Sequence, residues 1–223
     1  MLENLARRIL ETLKKKYKMP EWIISHDDPF KTLIVTIISQ NTNDKNTARA
    51  FENLSNSFRI APEVLANIKT EQIERCLKVA GLYKRKARTI KQASKIILDQ
   101  YNSSLKPILS LPLEEARETL LQFPGIGLKT ADVLLLFSAE KPTIPVDTHV
   151  NRVSKRLTLV PASGNYETIR QSLQTLYKPR DYLAVHVLFI QHGRKFCKAR
   201  KPICTQCPVN TLCPSSNLSD ESD

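Results

Sequence analysis

Between residues 120 and 137 the chain reads LLQFPGIGLKTADVLLLF, two apolar stretches at helical spacing joined by Pro124-Gly125-Ile126-Gly127. This spacing predicts two helices linked by a tight turn. Gly125 and Gly127 permit positive φ and let another backbone come close. The N–H groups of the turn and of the following helix start form an anion site suited to a phosphate. A plain αα-hairpin needs only one glycine. Two of them, flanking an apolar residue and followed at once by a helix, make a more specific pattern.

The rest of the chain is consistent with an all-α fold. Gly numbers only 5 and aromatics make up 6% of 223 residues, too few for a β-sandwich with its glycine turns and aromatic strands. Periodicity predicts helices near 3–16, 30–40, 43–54, 70–78, 84–100, 113–122, 128–138, 148–158, 165–177 and 181–194. The first carries Leu2, Leu5, Ile9 and Leu13 on one face, and Thr70 reads as an N-cap with Glu71 and Glu74 behind it. Pro107, Pro112, Pro124, Pro142 and Pro145 separate the middle helices. GLYKRKA at 81–87 faintly echoes GIGLKTA at 125–131, an echo that a Lys-rich chain produces by coincidence.

Charge points outward, to a partner. Lys and Arg exceed Asp and Glu by 12, and without the last four residues, which hold Asp220, Glu221 and Asp223, the excess is about 15. Such a surplus suits a polyanion, because cations that neutralise phosphates release counterions; solubility alone would also explain it. No apolar run of membrane-spanning length exists. The N-terminal MLENLARRILETLKKKYK lacks the apolar core and cleavage site of a secretory signal.

Lys129 falls in the first turn of the helix after the hairpin. A helix N-terminus already carries positive partial charge, a poor setting for a structural ammonium. The same field with partial burial favours a neutral amine, the form needed to attack a sugar C1′. Downstream lies Ile144-Pro145-Val146-Asp147-Thr148-His149. The hairpin with its Lys-Thr-Ala, followed by Val-Asp-Thr-His, resembles endonuclease III and its relatives, the helix-hairpin-helix DNA glycosylases, over about residues 22 to 213. The resemblance implies that Lys129 forms a Schiff base with the sugar, and that Asp147 assists deprotonation and stabilises developing positive charge. Local sequence also allows Asp147 to be the N-cap of a helix beginning at Thr148. Two positions depart from the family: Leu121 stands where well-known members have Glu, and Asp132 where Asn is common.

Cys197, Cys204, Cys207 and Cys213 follow C-x6-C-x2-C-x5-C, with Cys76 apart as a small buried hydrophobe. Four thiolates suit zinc or an iron–sulfur cluster. The spacing is that of the endonuclease III loop, which implies a [4Fe–4S] cluster. Lys198, Arg200 and Lys201 lie inside the loop, which reads as a phosphate-contacting element scaffolded by the cluster. His192 is expected to pack near it.

A glycosylase must rotate its base out of the duplex and fill the gap. Gln40 resembles the family's wedge glutamine by residue type, whereas an ungapped match puts Asn41 there. Lys84, Arg85, Lys86 and Arg88 form a basic run that reads as a phosphate track or a solvated face.

The expectation is an all-α, two-lobed helix-hairpin-helix glycosylase fold with a C-terminal [4Fe–4S] loop. Its bundle spans 22–141, its cluster domain 1–21 and 142–214, and a disordered tail 215–223. The implied function is a glycosylase and abasic-site lyase for oxidised pyrimidines in double-stranded DNA. It would act as a monomer, without membrane association, in the cytoplasm at the nucleoid if prokaryotic. The alternatives are a glycosylase for a mismatched base or oxidised purine, and a DNA-binding module without catalysis.

Overall fold

A computed structural model describes residues 1–20 and 28–219 of the chain. In order, the helices are α1 (Leu2–Lys16), α2 (Pro29–Ser39), α3 (Asp44–Ser57), α4 (Pro62–Asn67), α5 (Thr70–Leu77) and α6 (Tyr83–Tyr101). They continue as α7 (Lys106–Ser110), α8 (Leu113–Leu121), α9 (Leu128–Ala139), α10 (Thr148–Arg156), α11 (Tyr166–Leu176) and α12 (Tyr182–Lys195). No strand occurs among the described residues. All ten helices expected from periodicity form. The additional α4 and α7 are 6 and 5 residues long, too short to show a repeat, and each opens with a proline in its first turn.

The chain divides into two compact units, Ser25–Lys141 and Met1–Ile24 with Pro142–Asp223. In the first, α2 and α9 are apolar on nearly every side and pack together, α8 lies against α9, and α4 and α5 lie against α6. A helix buried all round belongs at the centre of its bundle. Asp28 starts α2 by accepting from the N–H groups of Phe30 (3.0 Å) and Lys31 (3.2 Å). Cys76 lies in this core, as a small hydrophobe should.

Within the same unit, Asp132 is fully buried on α9. Arg117 of α8 donates to its Oδ1 through Nε (2.9 Å) and to its Oδ2 through Nη2 (3.4 Å). The departure from Asn at this position is therefore a two-point ion pair bridging the helices on either side of the hairpin. Thr70 is the first residue of α5 rather than its cap. The cap is Lys69, whose N–H donates to Gln72 Oε1 at 3.2 Å.

The second unit packs α1 on α11 and α12, and α10 on α12. The buried face of α1 is Ala6, Ile9, Leu10 and Leu13. Leu2 of the expected face is 42% exposed, because the helix is rotated to bury Ala6 and Leu10. The tail expected to be disordered from 215 instead begins as a 3₁₀ segment, Pro214–Ser219. Ser215 Oγ donates to Arg156 O (2.8 Å) and Ser216 Oγ to Cys213 O (2.7 Å), and these side-chain bonds fold what composition alone would leave loose. Residues 220–223 lie outside the described residues.

Candidate functional site

In the unit Ser25–Lys141, Gly125 has φ +77, and a Cβ there would sit 2.5 Å from Thr89 Oγ1. Gly127 differs from the expectation. Its φ is −102 and its ψ 177, extended backbone open to any residue, and a Cβ would meet nothing within 4 Å. Gly125 is therefore glycine for the fold, whereas the space beside Gly127 is empty of protein. Gly127 is also the N-cap of α9 and, having no side chain, makes no cap bond, so the first N–H groups of that helix have no side-chain acceptor at the cap. Gly125→Ala should cost about 2 kcal/mol or more from the left-handed strain and the clash with Thr89. Gly127→Ala should leave thermal unfolding nearly unchanged. Equal losses in a melting comparison would contradict this geometry.

Lys129 is the second residue of α9 and half-buried. It lines an open pocket of about 400 Å³ with Gln40, Arg85, Gly125, Ile126, Gly127 and Thr130. Gln40 ends α2 and donates through Nε2 to Gly125 O and Thr130 Oγ1, both at 3.3 Å. Asn41, the neighbour with which it competed in the sequence, is exposed at φ +52 and does not line the pocket. The pocket thus gathers an amine, an amide, a guanidinium and a helix start, a set able to hold a phosphate while presenting an amine to a sugar.

The basic run divides. Lys84, Arg85 and Arg88 are exposed, and Arg85 rather than Lys84 lines the pocket. Lys86 is not a phosphate contact: it is 2% exposed and donates to Ala80 O at 2.8 Å. The echo at 81–87 does not extend to the helix starts: Leu82 caps α6 in the left-handed region, whereas Gly127 caps α9 in extended conformation. Between Gly81 and α6, Leu82 stands 54% exposed at φ +47, a conformation costing a leucine about 1–2 kcal/mol. Sequence reasoning missed this residue because an apolar residue before a helix reads as core. The turn glycine preceding it was the available signal.

In the other unit, Asp147 is the N-cap of α10. Its Oδ1 accepts from the N–H groups of His149 (2.8 Å) and Val150 (2.7 Å). The approach to it is fixed from two sides. His186, buried, meets Pro145 O through Nδ1 at 2.8 Å, and Tyr166 Oη accepts from Val146 N–H at 3.3 Å. One turn on, Arg152 donates to Cys197 O (2.9 Å) and Gly193 O (3.0 Å) and meets His149 Nδ1 at 3.0 Å. A Cβ on Gly193 would stand 2.9 Å from that nitrogen, so the close approach of α10 and α12 requires glycine there. Desolvation lowers the His149 pKa.

Cys197, Cys204, Cys207 and Cys213 line one cavity of about 670 Å³. Burial pushes the Cys207 thiol up to about 11 and raises that of Cys213, and the charges of the other cysteines add to the rise. Four thiolates gathered this way repel one another unless a cationic centre binds them. Space for a multi-atom core among four sulfurs fits a cubane cluster, so the donor set and the cavity agree. Arg156 ties the loop to α10, donating to Cys197 Sγ (3.5 Å), Lys198 O (2.6 Å) and Ala199 O (3.2 Å). Lys198, Arg200 and Lys201 are exposed on this loop. His192 lies against the centre as expected, and burial lowers its pKa to about 4.

A bundle built on a glycine hairpin, with a four-cysteine loop, defines a helix-hairpin-helix DNA repair protein. Residues 34–179 match the family model of the HhH-GPD superfamily base excision DNA repair proteins, and 197–213 that of the iron–sulfur binding domain of endonuclease III. Endonuclease III of Thermotoga maritima is 33% identical over 96% of this chain and 92% of its own length. That of Sulfolobus acidocaldarius is 35% identical over 94% and 96%. A solved structure of a trapped endonuclease III–DNA covalent intermediate superposes with a TM-score of 0.86 at 28% identity, covering 97% of this chain and 98% of that one. The chain belongs to the endonuclease III family, and is a DNA-binding base excision repair glycosylase and abasic-site lyase with a [4Fe–4S] cluster. Among the described residues no helix is long and apolar enough to cross a membrane.

Proposed function

We propose that this enzyme removes oxidised pyrimidines from duplex DNA through an imine on Lys129, and then cleaves the abasic strand by β-elimination. The observation that carries the reading is Lys129 in the first turn of α9, beside the hairpin N–H groups and Gln40. The amine attacks C1′, the N-glycosidic bond breaks, and the base departs with the electron pair and takes up a proton. Opening of the sugar and loss of the ammonium proton leave the imine. Removal of a C2′ proton then expels the 3′ phosphate. Asp147 stabilises the positive charge that develops on the sugar, and its cap bonds keep its carboxylate oriented.

The supporting residues divide by role. Gly125, Gly127, Arg85 and Lys84 contact phosphate around the hairpin, and Lys198 and Arg200 do so on the cluster loop, contacts that carry no sequence information. Gln40 fills the space of the extruded base, and Leu82, exposed and strained among basic neighbours, wedges the opened step. Asn41 lies outside the pocket and is the second candidate for the filling role. Cys197, Cys204, Cys207 and Cys213 hold the cluster, which pins the loop through four thiolate bonds when bound. The enzyme acts as a monomer on chromosomal duplex carrying a damaged base or an abasic site.

Single-lesion duplexes test the substrate class. Oxidised thymine or cytosine should be excised at least about tenfold faster than 8-oxoguanine or a mismatched base, a margin of ~1.4 kcal/mol that a few pocket hydrogen bonds supply. The product should carry a 3′ unsaturated aldehyde. A preference for the purine lesion or the mismatch would overturn the assignment.

A further inference from the structure

His192 is 1% exposed on α12, and no step of the proposed reaction uses it. Its Nδ1 lies 3.2 Å from Tyr17 Oη, and its Nε2 3.6 Å from Cys207 Sγ. A cysteine bound to iron has lost its proton, so its sulfur only accepts. Nε2 must then be the donor. A neutral imidazole carries one N–H. Nδ1 is therefore the acceptor, and the Tyr17 hydroxyl donates to it. The hydrogen bonds run in one direction: Tyr17 O–H to His192 Nδ1, and His192 Nε2–H to the Cys207 sulfur.

Packing holds both rings in place. Tyr17 follows α1 directly, its N–H bound to Leu13 O at 2.9 Å, and its ring meets His192 edge-on at 6.3 Å. The other side of His192 lies 6.0 Å from Phe196, next to the first cysteine of the loop. The two ends of the relay are 190 residues apart in sequence (Tyr17 to Cys207), and α1 brings the hydroxyl to the loop.

We propose that Tyr17 is a positioning residue for the iron–sulfur centre: it holds His192 in the tautomer that donates to Cys207, and this bond raises the reduction potential of the cluster. The proposal rests on Cys207 being a ligand. Added negative charge on reduction falls partly on the thiolates, so a hydrogen bond to one sulfur stabilises the reduced state more than the oxidised state.

The test uses the holoenzyme with Tyr17→Phe, His192→Leu and the double variant, measuring iron content, reduction potential and Fe–S vibrational frequencies. Tyr17→Phe should retain about four irons per chain and shift the potential negative. His192→Leu should shift it at least as far, with Fe–S(Cys) stretching moved to higher frequency. The double variant should match His192→Leu, because both residues act through one bond. An unchanged potential in Tyr17→Phe, or additive shifts, would overturn the relay. If His192→Leu does not assemble a cluster, Tyr17→Phe decides alone, since it removes one oxygen and leaves the packing. Cys207→Ser tests the ligand assignment separately: full retention of an unchanged cluster would overturn that assignment and the relay with it.

Discussion

Lys129→Gln will give no covalent adduct when the protein is incubated with an abasic-site duplex and borohydride, under conditions where the parent enzyme is trapped. Glutamine has no amine to form an imine. Glutamine is also about as good a helix former as lysine, so the second position of α9 keeps its helical backbone. Strand cleavage should fall by a factor on the order of 10³ or more; loss of a covalent nucleophile in a protease costs up to about 10⁶. Lys129→Arg should be equally silent, since guanidinium retains the charge without nucleophilicity. Binding to an undamaged duplex should hold within about threefold in both variants, since arginine keeps the charge and glutamine removes one cation among many. Adduct formed by Lys129→Gln at the parental yield would show that another of the chain's amines is the nucleophile.

Asp147→Asn should separate chemistry from capping. Both cap bonds go to Oδ1, which asparagine retains, and asparagine caps as well as aspartate does. The change therefore removes the charge and little else. Excision should slow by about 10²–10³, the usual cost of losing one preorganised electrostatic contact to a developing charge, while thermal stability and duplex affinity stay near parental. Asp147→Ala should lose both, with about 1 kcal/mol of stability going with the cap. If Asp147→Asn excised normally and only Asp147→Ala were impaired, the carboxylate would be a cap and nothing more.

Several of the candidate site residues were legible because their signals are local. The hairpin needs only its own Pro-Gly-Ile-Gly, Lys129 lies two residues past the last glycine, and the cysteines fall within 17 residues of one another. Asp147 was readable as a cap and as a candidate carboxylate, and the structure shows the cap. Gly127 was misread: a glycine in a turn suggests positive φ, and the extended value appears only once α9 is built. Lys86 was grouped with its neighbours because charge in sequence carries no direction. Only the packed α6 turns it inward to Ala80.

The sequence by itself determined the all-α class, the positions of the ten longer helices, the hairpin, the first-turn lysine and the cysteine loop. Each of these depends on contacts within a few residues, where propensity, capping and spacing act. Tertiary structure decided the pairings. Gln40 rather than Asn41 reaches the pocket because α2 ends where it does and Gly125 O, 85 residues away, accepts its amide. Asp132 meets Arg117 through the packing of α8 on α9, and Tyr17 meets His192 through that of α1 on α12. Hydrogen bonds act over about 3 Å, and residues so far apart along the chain come within that range only when helices pack.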